Sequence, residues 1–406
     1  QCLRGHHENM DQDPIGHGAG IAIERRGFAM NGGAVQEWSL PVDAAALQDM
    51  RRRLNDRRKP KVARPGWTEG IEADYLDRLC DHLAGPYCWS EDIERFGEQH
   101  LMVRARSTGH RLHVTLPVGK VEGAKPLVLL HGWPSCSFEF VHVARHLVAQ
   151  GMYPVLIDLP GFGFSDAPAE PMGPRSMAAC IAEVIGEGLG FRNAIVHGND
   201  WGSTVACWLA IDFPRMVTAI HLSMMGMRPR FDGSARPPGD SEQQWIKVVQ
   251  KRLAADAGYR EIQATRPNTA SAALADSPAG LAAWIAEKFH GWTTEQAVEN
   301  PLVGMDDLAA IITAYWLTGS IASANWVYTA GRRRDDTGAP PGGTGSTPVG
   351  FSFFGGGFFP PPPRSWAERL HHVQDFRIHA SGGHYPALTN PRALAEDLVA
   401  FCEQLD

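Results

Sequence analysis

The stretch HGNDWGS, residues 197–203, follows the apolar run Ala194–Ile195–Val196 and leads into the apolar, helix-length segment TVACWLAIDF. Its pattern Gly198-x-Asp200-x-Gly202 has the shape of a sharp strand-to-helix turn that exposes one side chain at the top of a mixed α/β sheet. The exposed position is usually a serine; here it is an aspartate. On its own, a glycine-flanked aspartate also reads as a turn or a helix N-cap. The surroundings have to decide between the two.

Working outward, PLVLLH (126–131), YPVLID (153–158), AIVHGN (194–199) and AIHLS (219–223) are short apolar runs, and FEFVHVARHLVAQG and SMAACIAEVIGEGLG between them have helix length. Continuous apolar strands separated by helices imply a parallel sheet covered on both faces. Ahead of it, LMVRAR and HRLHVTLP alternate as strands do, whereas Val35 to Phe96 is helical in period, with LPVDAAALQDMRRRL and IEADYLDRLCDHLAG as its two clearest pieces. After Met227 the alternation stops. SEQQWIKVVQKRLAADAG, PAGLAAWIAEKFHGW and MDDLAAIITAYWLTGSIASANWVY read as a helical insertion over the sheet, and a Gly/Pro-rich loop then returns the chain to VGFSFF and DFRIHAS before a closing amphipathic helix, NPRALAEDLVAFCEQL. The expected organisation is an N-terminal arm (1–34), disordered or loosely packed; a helical segment (35–98); an α/β core (99–228 and 346–406); and a helical lid (229–345).

The chain of 406 residues, 44% hydrophobic and 20% charged, is long enough for one large core with attachments. A net charge of −7 with no long Lys/Arg run gives no electrostatic ground for a nucleic-acid partner. No run reaches the ~18 to 20 apolar residues of a membrane span. The seven cysteines are scattered, without metal spacing, and read as reduced thiols of a cytoplasmic protein. The expected partners are a small molecule and water, with no nucleic acid, no membrane and no metal; a homodimer is compatible with the sequence.

Three features fall at strand ends, where open α/β sheets hold their ligands. HGWP (131–134) follows one strand, the Asp200 turn another, and GGH (382–384) the last. The backbone N–H groups of Trp133 and Trp201 are candidates for an oxyanion hole, and His384 for a base. Metal binding by Asp200 with His131 or His197 lacks a partner at ligand spacing.

HGWPSCSFEF, DLPGFGFSDAP, GNDWGS, NTASAALADSPAGLAAWIAEKF, AYWLTGSIASANWVY and GGHYPAL, with WSLPVDAAALQDMRRRL and GWTEGIEADYLDRL ahead of them, resemble the microsomal-type epoxide hydrolases of the α/β-hydrolase superfamily over roughly residues 35–406. The resemblance implies an α/β-hydrolase fold with a mostly parallel eight-stranded sheet, the lid inserted after strand 6. It implies a cofactor-independent enzyme with Asp200 as nucleophile, His384 as base, and Tyr259 and Tyr328 as the lid tyrosines that hold the epoxide oxygen. The two tyrosines argue against the haloalkane dehalogenases, the remaining alternative, which share the aspartate turn but hold a halide with Trp or Asn side chains.

In one place the match fails. The family holds its histidine with a carboxylate just after the seventh strand, and that position falls at or next to Gly357, in FSFFGGGFFPPPPRSW. No acid lies between Asp336 and Glu368. The relay acid is therefore unassigned, with Asp335, Asp336, Glu368 and Asp375 as candidates, and a variant that alkylates without hydrolysing, or a small-molecule binding protein on the same scaffold, stands beside the epoxide hydrolase reading. The Gly-then-Pro run itself reads as a flexible surface loop.

Overall fold

The computed structural model describes residues 34–61, 65–96, 99–117, 126–230, 236–293 and 302–405; the expected arm lies outside this range apart from residue 34. Nine strands form one sheet: β1 (Val35–Trp38), β2 (Gln99–Arg104), β3 (Arg111–Leu116), β4 (Pro126–Leu130), β5 (Tyr153–Ile157), β6 (Ala194–Gly198), β7 (Val217–Leu222), β8 (Pro348–Phe354) and β9 (His372–His379). Their spatial order is β1-β2-β3-β5-β4-β6-β7-β8-β9. The first three pair antiparallel, β3 joins β5 antiparallel, and every pair from there to β9 is parallel.

The apolar runs β4, β5 and β6 are buried at every position. Helices on both faces cause this. Val141–Ala149 and Pro391–Glu403 close one face around Leu127, Leu129, Ile195 and Phe401, and Pro174–Glu183 packs beside Trp201–Asp212 on the other. The lid helices Asp240–Ala255, Gly258–Thr265, Pro267–Asp276, Pro278–Thr293, Met305–Thr318 and Ile321–Arg334 lie between β7 and β8. The N-terminal helices Ala44–Asn55 and Ala73–Ala84 and the turn between them brace this lid: Trp316 Nε1 donates to the Ala46 carbonyl at 3.2 Å, Arg53 pairs with Asp276 at 3.0 Å, Trp67 stacks on His290 with centroids 3.7 Å apart, and His82 Nε2 lies 2.8 Å from Asp306 Oδ1.

Three expectations need correcting. The sheet has nine described strands rather than eight, because Val35–Trp38 extends along the free edge of β2 instead of starting a helix. Four residues are too few to reveal a period, and pairing with a waiting edge decides their conformation. The lid accordingly follows the seventh strand of the count. Among the described cysteines, Cys80, Cys136, Cys180, Cys207 and Cys402 are free and buried, while Cys88 is not among the free thiols. Among the described residues no helix is long and apolar enough to cross a membrane.

Candidate active site

Strand β6 ends at Gly198, and the next helix begins at Trp201. Asp200 between them has φ 49° and ψ −124°, a region that L-residues with side chains avoid and that is found at strained functional turns. The flanking glycines are steric requirements: a Cβ on Gly202 would lie 2.0 Å from the Leu130 carbonyl oxygen, and one on Gly198 2.3 Å from the Gly202 carbonyl oxygen. Asp200 is therefore not acting as a cap; no side-chain capping bond is made at this helix start.

The HGWP loop meets the turn directly. The Trp133 N–H donates to Asp200 Oδ1 at 2.8 Å, and a Cβ on Gly132 would sit 2.2 Å from the same oxygen. Trp201 is the first residue of its helix, so its N–H has no acceptor within the helix. Buried Asp158 pins the loop from behind, accepting from the Ser137 N–H at 2.7 Å and the Phe164 N–H at 3.0 Å and bonding His113 Nδ1 at 2.8 Å. Burial pushes its carboxyl up, but the His113 contact and these donors outweigh it and hold the group at about 2. His131 Nε2 accepts the Leu159 N–H, and His197 Nδ1 meets His221 Nδ1 at 3.1 Å, so both histidines are engaged within the core.

His384 comes from the loop after β9. Its N–H donates to the Trp292 carbonyl at 2.9 Å, its own carbonyl accepts from Asn199 Nδ2 at 2.8 Å, and its ring stands edge-on to Trp292 at 5.0 Å. Nε2 lies 3.4 Å from Asp200 Oδ2. From the lid, Tyr259 stacks on the Trp133 indole at 5.2 Å, and Tyr328 stands edge-on to Trp133 at 5.7 Å and to Trp201 at 5.1 Å. Burial, followed for Tyr259 by the Asp200 charge and for Tyr328 by Tyr259 and Asp200, pushes both phenols up, so they are protonated donors at neutral pH. Asp200, His384, Tyr259 and Tyr328 line one cavity of about 690 Å³, with apolar walls that include Met225, Trp245 and Phe359.

At the expected relay position the structure, like the sequence, has no acid. Gly357 is buried, and a Cβ there would lie 2.5 Å from the Trp292 carbonyl oxygen and 2.6 Å from Gly383 Cα. The run around it is not a surface loop. Arg252 donates to the Gly357 and Phe358 carbonyls at 2.8 Å each, Trp245 Nε1 to the Pro360 carbonyl at 2.9 Å, and Phe359 packs against His384 at 5.2 Å. Of the candidate acids, Asp335 pairs with Arg230, Glu368 with Arg364 and Asp375 with Arg377, while Asp336 lies beside Gly173 near Arg334 and Arg175. None of them bonds the His384 ring among the described residues.

Residues 35–140 match a family model described as epoxide hydrolase N terminus, and residues 125–272 one described as alpha/beta hydrolase fold. A putative epoxide hydrolase of Stigmatella aurantiaca is 31% identical over 91% of this chain and 85% of its own length. The chain belongs to the epoxide hydrolase family. Epoxide hydrolase 1 of Sus scrofa is 27% identical over 92% of the chain and 89% of its own length. Among solved structures, the epoxide hydrolase of Aspergillus niger superposes with a TM-score of 0.77 at 26% identity, covering 91% of this chain and 96% of that one.

Beside the residues expected from sequence, the structure brings to this candidate site others that no motif singled out. Buried Glu139 accepts from Asn199 Nδ2 at 3.1 Å, and the same amide holds the His384 carbonyl. Burial pushes the Glu139 carboxyl up to about 7 against the opposing pull of Asn199 and Ser135. Lys288 and Asp256 flank Tyr259 and Trp292. The only sequence signal for Glu139 was a charge inside the otherwise apolar SFEF, and for Lys288 a charge on the helix WIAEKFHGW.

Proposed function

We propose that this epoxide hydrolase opens an apolar or aromatic epoxide to a vicinal diol through an ester on Asp200. The single observation that carries the reading is the pair of protonated tyrosines, Tyr259 and Tyr328, in one cavity with Asp200 and His384. Asp200 Oδ2 attacks an epoxide carbon in line with the breaking C–O bond, and the tyrosine O–H groups stabilise the electron pair left on the epoxide oxygen. A proton passes to that oxygen, giving the hydroxy ester. His384 takes a proton from a water that attacks the ester carbon, and the oxyanion forming on Oδ1 meets the Trp133 N–H, which already bonds that oxygen, with the Trp201 N–H as the second donor. Collapse of the tetrahedral species breaks the bond between the carboxyl carbon and Oδ2, the protonated His384 gives its proton to the departing oxygen to release the diol, and the new carboxyl loses its remaining proton to solvent, which restores the carboxylate. A serine at position 200 would form an ether, which an oxyanion hole cannot cleave; the aspartate makes turnover possible.

A second reading, a protein that alkylates but hydrolyses slowly, is favoured by the four candidate acids all lying away from the His384 ring among the described residues. A carboxylate there would fix the tautomer and stabilise the imidazolium. Intact-protein mass spectrometry with excess styrene oxide, with diol followed in the same tube, separates the two. Continuous diol with little adduct supports the hydrolase. A persistent adduct of one substrate mass with diol stalling near one equivalent supports the impaired enzyme. Neither adduct nor diol across a panel of bulkier epoxides would remove the reading, and chloride release from haloalkanes would replace it with dehalogenation.

We further infer a cytoplasmic setting. The five free, buried thiols support it, and the redox state of Cys88 in the purified native protein tests the point. Light scattering tests the homodimer.

A further inference from the structure

Lys288, on the lid helix Pro278–Thr293, is only 5% exposed. Its ammonium pairs with Asp256 Oδ1 at 2.6 Å and Glu287 Oε2 at 2.8 Å, and stands over the ring of Tyr259, 4.5 Å from the centroid, and 5.8 Å from that of Trp292. The second oxygen of Asp256 accepts from Trp292 Nε1 at 2.9 Å. The ammonium thus rests on the same ring that stacks on Trp133, beside the residue whose carbonyl holds the His384 N–H. Removing a lysine from water is costly, and an apolar residue of similar volume would fill this space without that cost. The two carboxylates account for how the charge is tolerated. They do not account for a charge at this place.

Its effect follows from where charge appears in the reaction. When the epoxide C–O bond breaks, its electron pair stays on oxygen, which draws on the Tyr259 O–H; electron density rises in the phenol as the proton moves, and solvent later returns the proton. A cation over the face of the ring is attracted to that density, and more strongly out of water. The charges facing Tyr259 otherwise include Asp200 and Asp256, which disfavour phenolate character, Arg260, which favours it, and Tyr328 within hydrogen-bonding reach. We propose that Lys288 is a positioning residue for epoxide opening: it fixes the Tyr259 ring and strengthens its O–H as a donor, without touching the substrate. This rests on the role given to Tyr259 above.

The test is a double-mutant cycle on the whole protein. Ester formation from styrene oxide is followed by rapid quench and intact mass, and decay of the preformed ester is followed separately, in wild type, K288M, K288R, Y259F and Y259F/K288M. K288M is expected to slow ester formation about tenfold, the size of a buried cation–π contact, to leave ester decay within about twofold, and to cost less than about twofold in the Y259F background, where the ring remains but the hydroxyl is gone. K288R keeps the charge and is expected to restore most of the rate; if K288M does not fold, K288Q in the same cycle carries the same expectation. An equal loss in both backgrounds, or no loss in either, overturns the inference and leaves the epoxide hydrolase reading intact. Failure of the wild-type protein to form ester or diol with any epoxide overturns both.

Discussion

The two carboxylate oxygens of Asp200 are divided between two partners: the Trp133 N–H holds Oδ1 at 2.8 Å, and His384 Nε2 faces Oδ2 at 3.4 Å. This division assigns each oxygen a part. In the proposed mechanism Oδ1 lies where the oxyanion of ester hydrolysis is stabilised, and Oδ2 is the oxygen that attacks carbon.

Substituting Asp200 or His384 should therefore separate the half-reactions. D200N is expected to lower ester formation at least about a thousandfold, since the amide is a poor nucleophile. H384Q should still form the ester within about tenfold of the wild-type rate but release almost no diol. Intact mass measured against time reads both: no adduct in the first variant, a persistent adduct in the second.

In the proposed mechanism the lid tyrosines act only on the first step. Y259F and Y328F are each expected to slow ester formation by about a hundredfold, the loss typical of one donor to a developing oxyanion, and together by more. Decay of the preformed ester should not change. Single-turnover rates for formation and decay check this, and a fall in the decay rate as large as that in formation would place the tyrosines elsewhere in the mechanism.

Glu139 makes stability depend on pH. Its carboxyl titrates at about 7 in the folded chain against an ordinary value of 4.5. Between these values the folded state holds a proton that the unfolded chain has released, so stability falls as pH rises through this window and levels off above it. The loss amounts to up to about 3 kcal/mol. E139Q, neutral at every pH, should remove it. Urea unfolding at pH 5 and pH 8 is the measurement, with E139Q expected to gain on wild type between the two; a constant difference would mean that Glu139 is not protonated in the folded chain.

Restoring an acid at position 357 should fail. A Cβ there meets the Trp292 carbonyl at 2.5 Å, so Gly357→Glu must displace the backbone that holds the His384 N–H. We expect a loss of about 1 to 3 kcal/mol, as in other overpacked sites, seen as a Tm lower by several degrees, with no faster ester decay. A gain in diol turnover at unchanged Tm would show that the segment can open to accept the acid.

The sequence by itself determined the parallel core, the lid and the four catalytic candidates. Apolar runs of strand length, helical periods between them and Gly198-x-Asp200-x-Gly202 are local patterns in the chain, and the elbow glycines stand where no Cβ fits, Gly198 against the next turn and Gly202 against the Leu130 carbonyl of β4. Only the tertiary structure decided what touches what. Edge pairing made Val35–Trp38 a strand, and packing against Arg252, Trp245 and His384 made GGGFFPPPP a wall of the cavity rather than a surface loop. The same holds for Lys288, 29 positions from Tyr259 and on another helix, and for Glu139, 60 from Asn199: the burial and the partners that give a charge its energy come from distant segments, and no period in the chain records them.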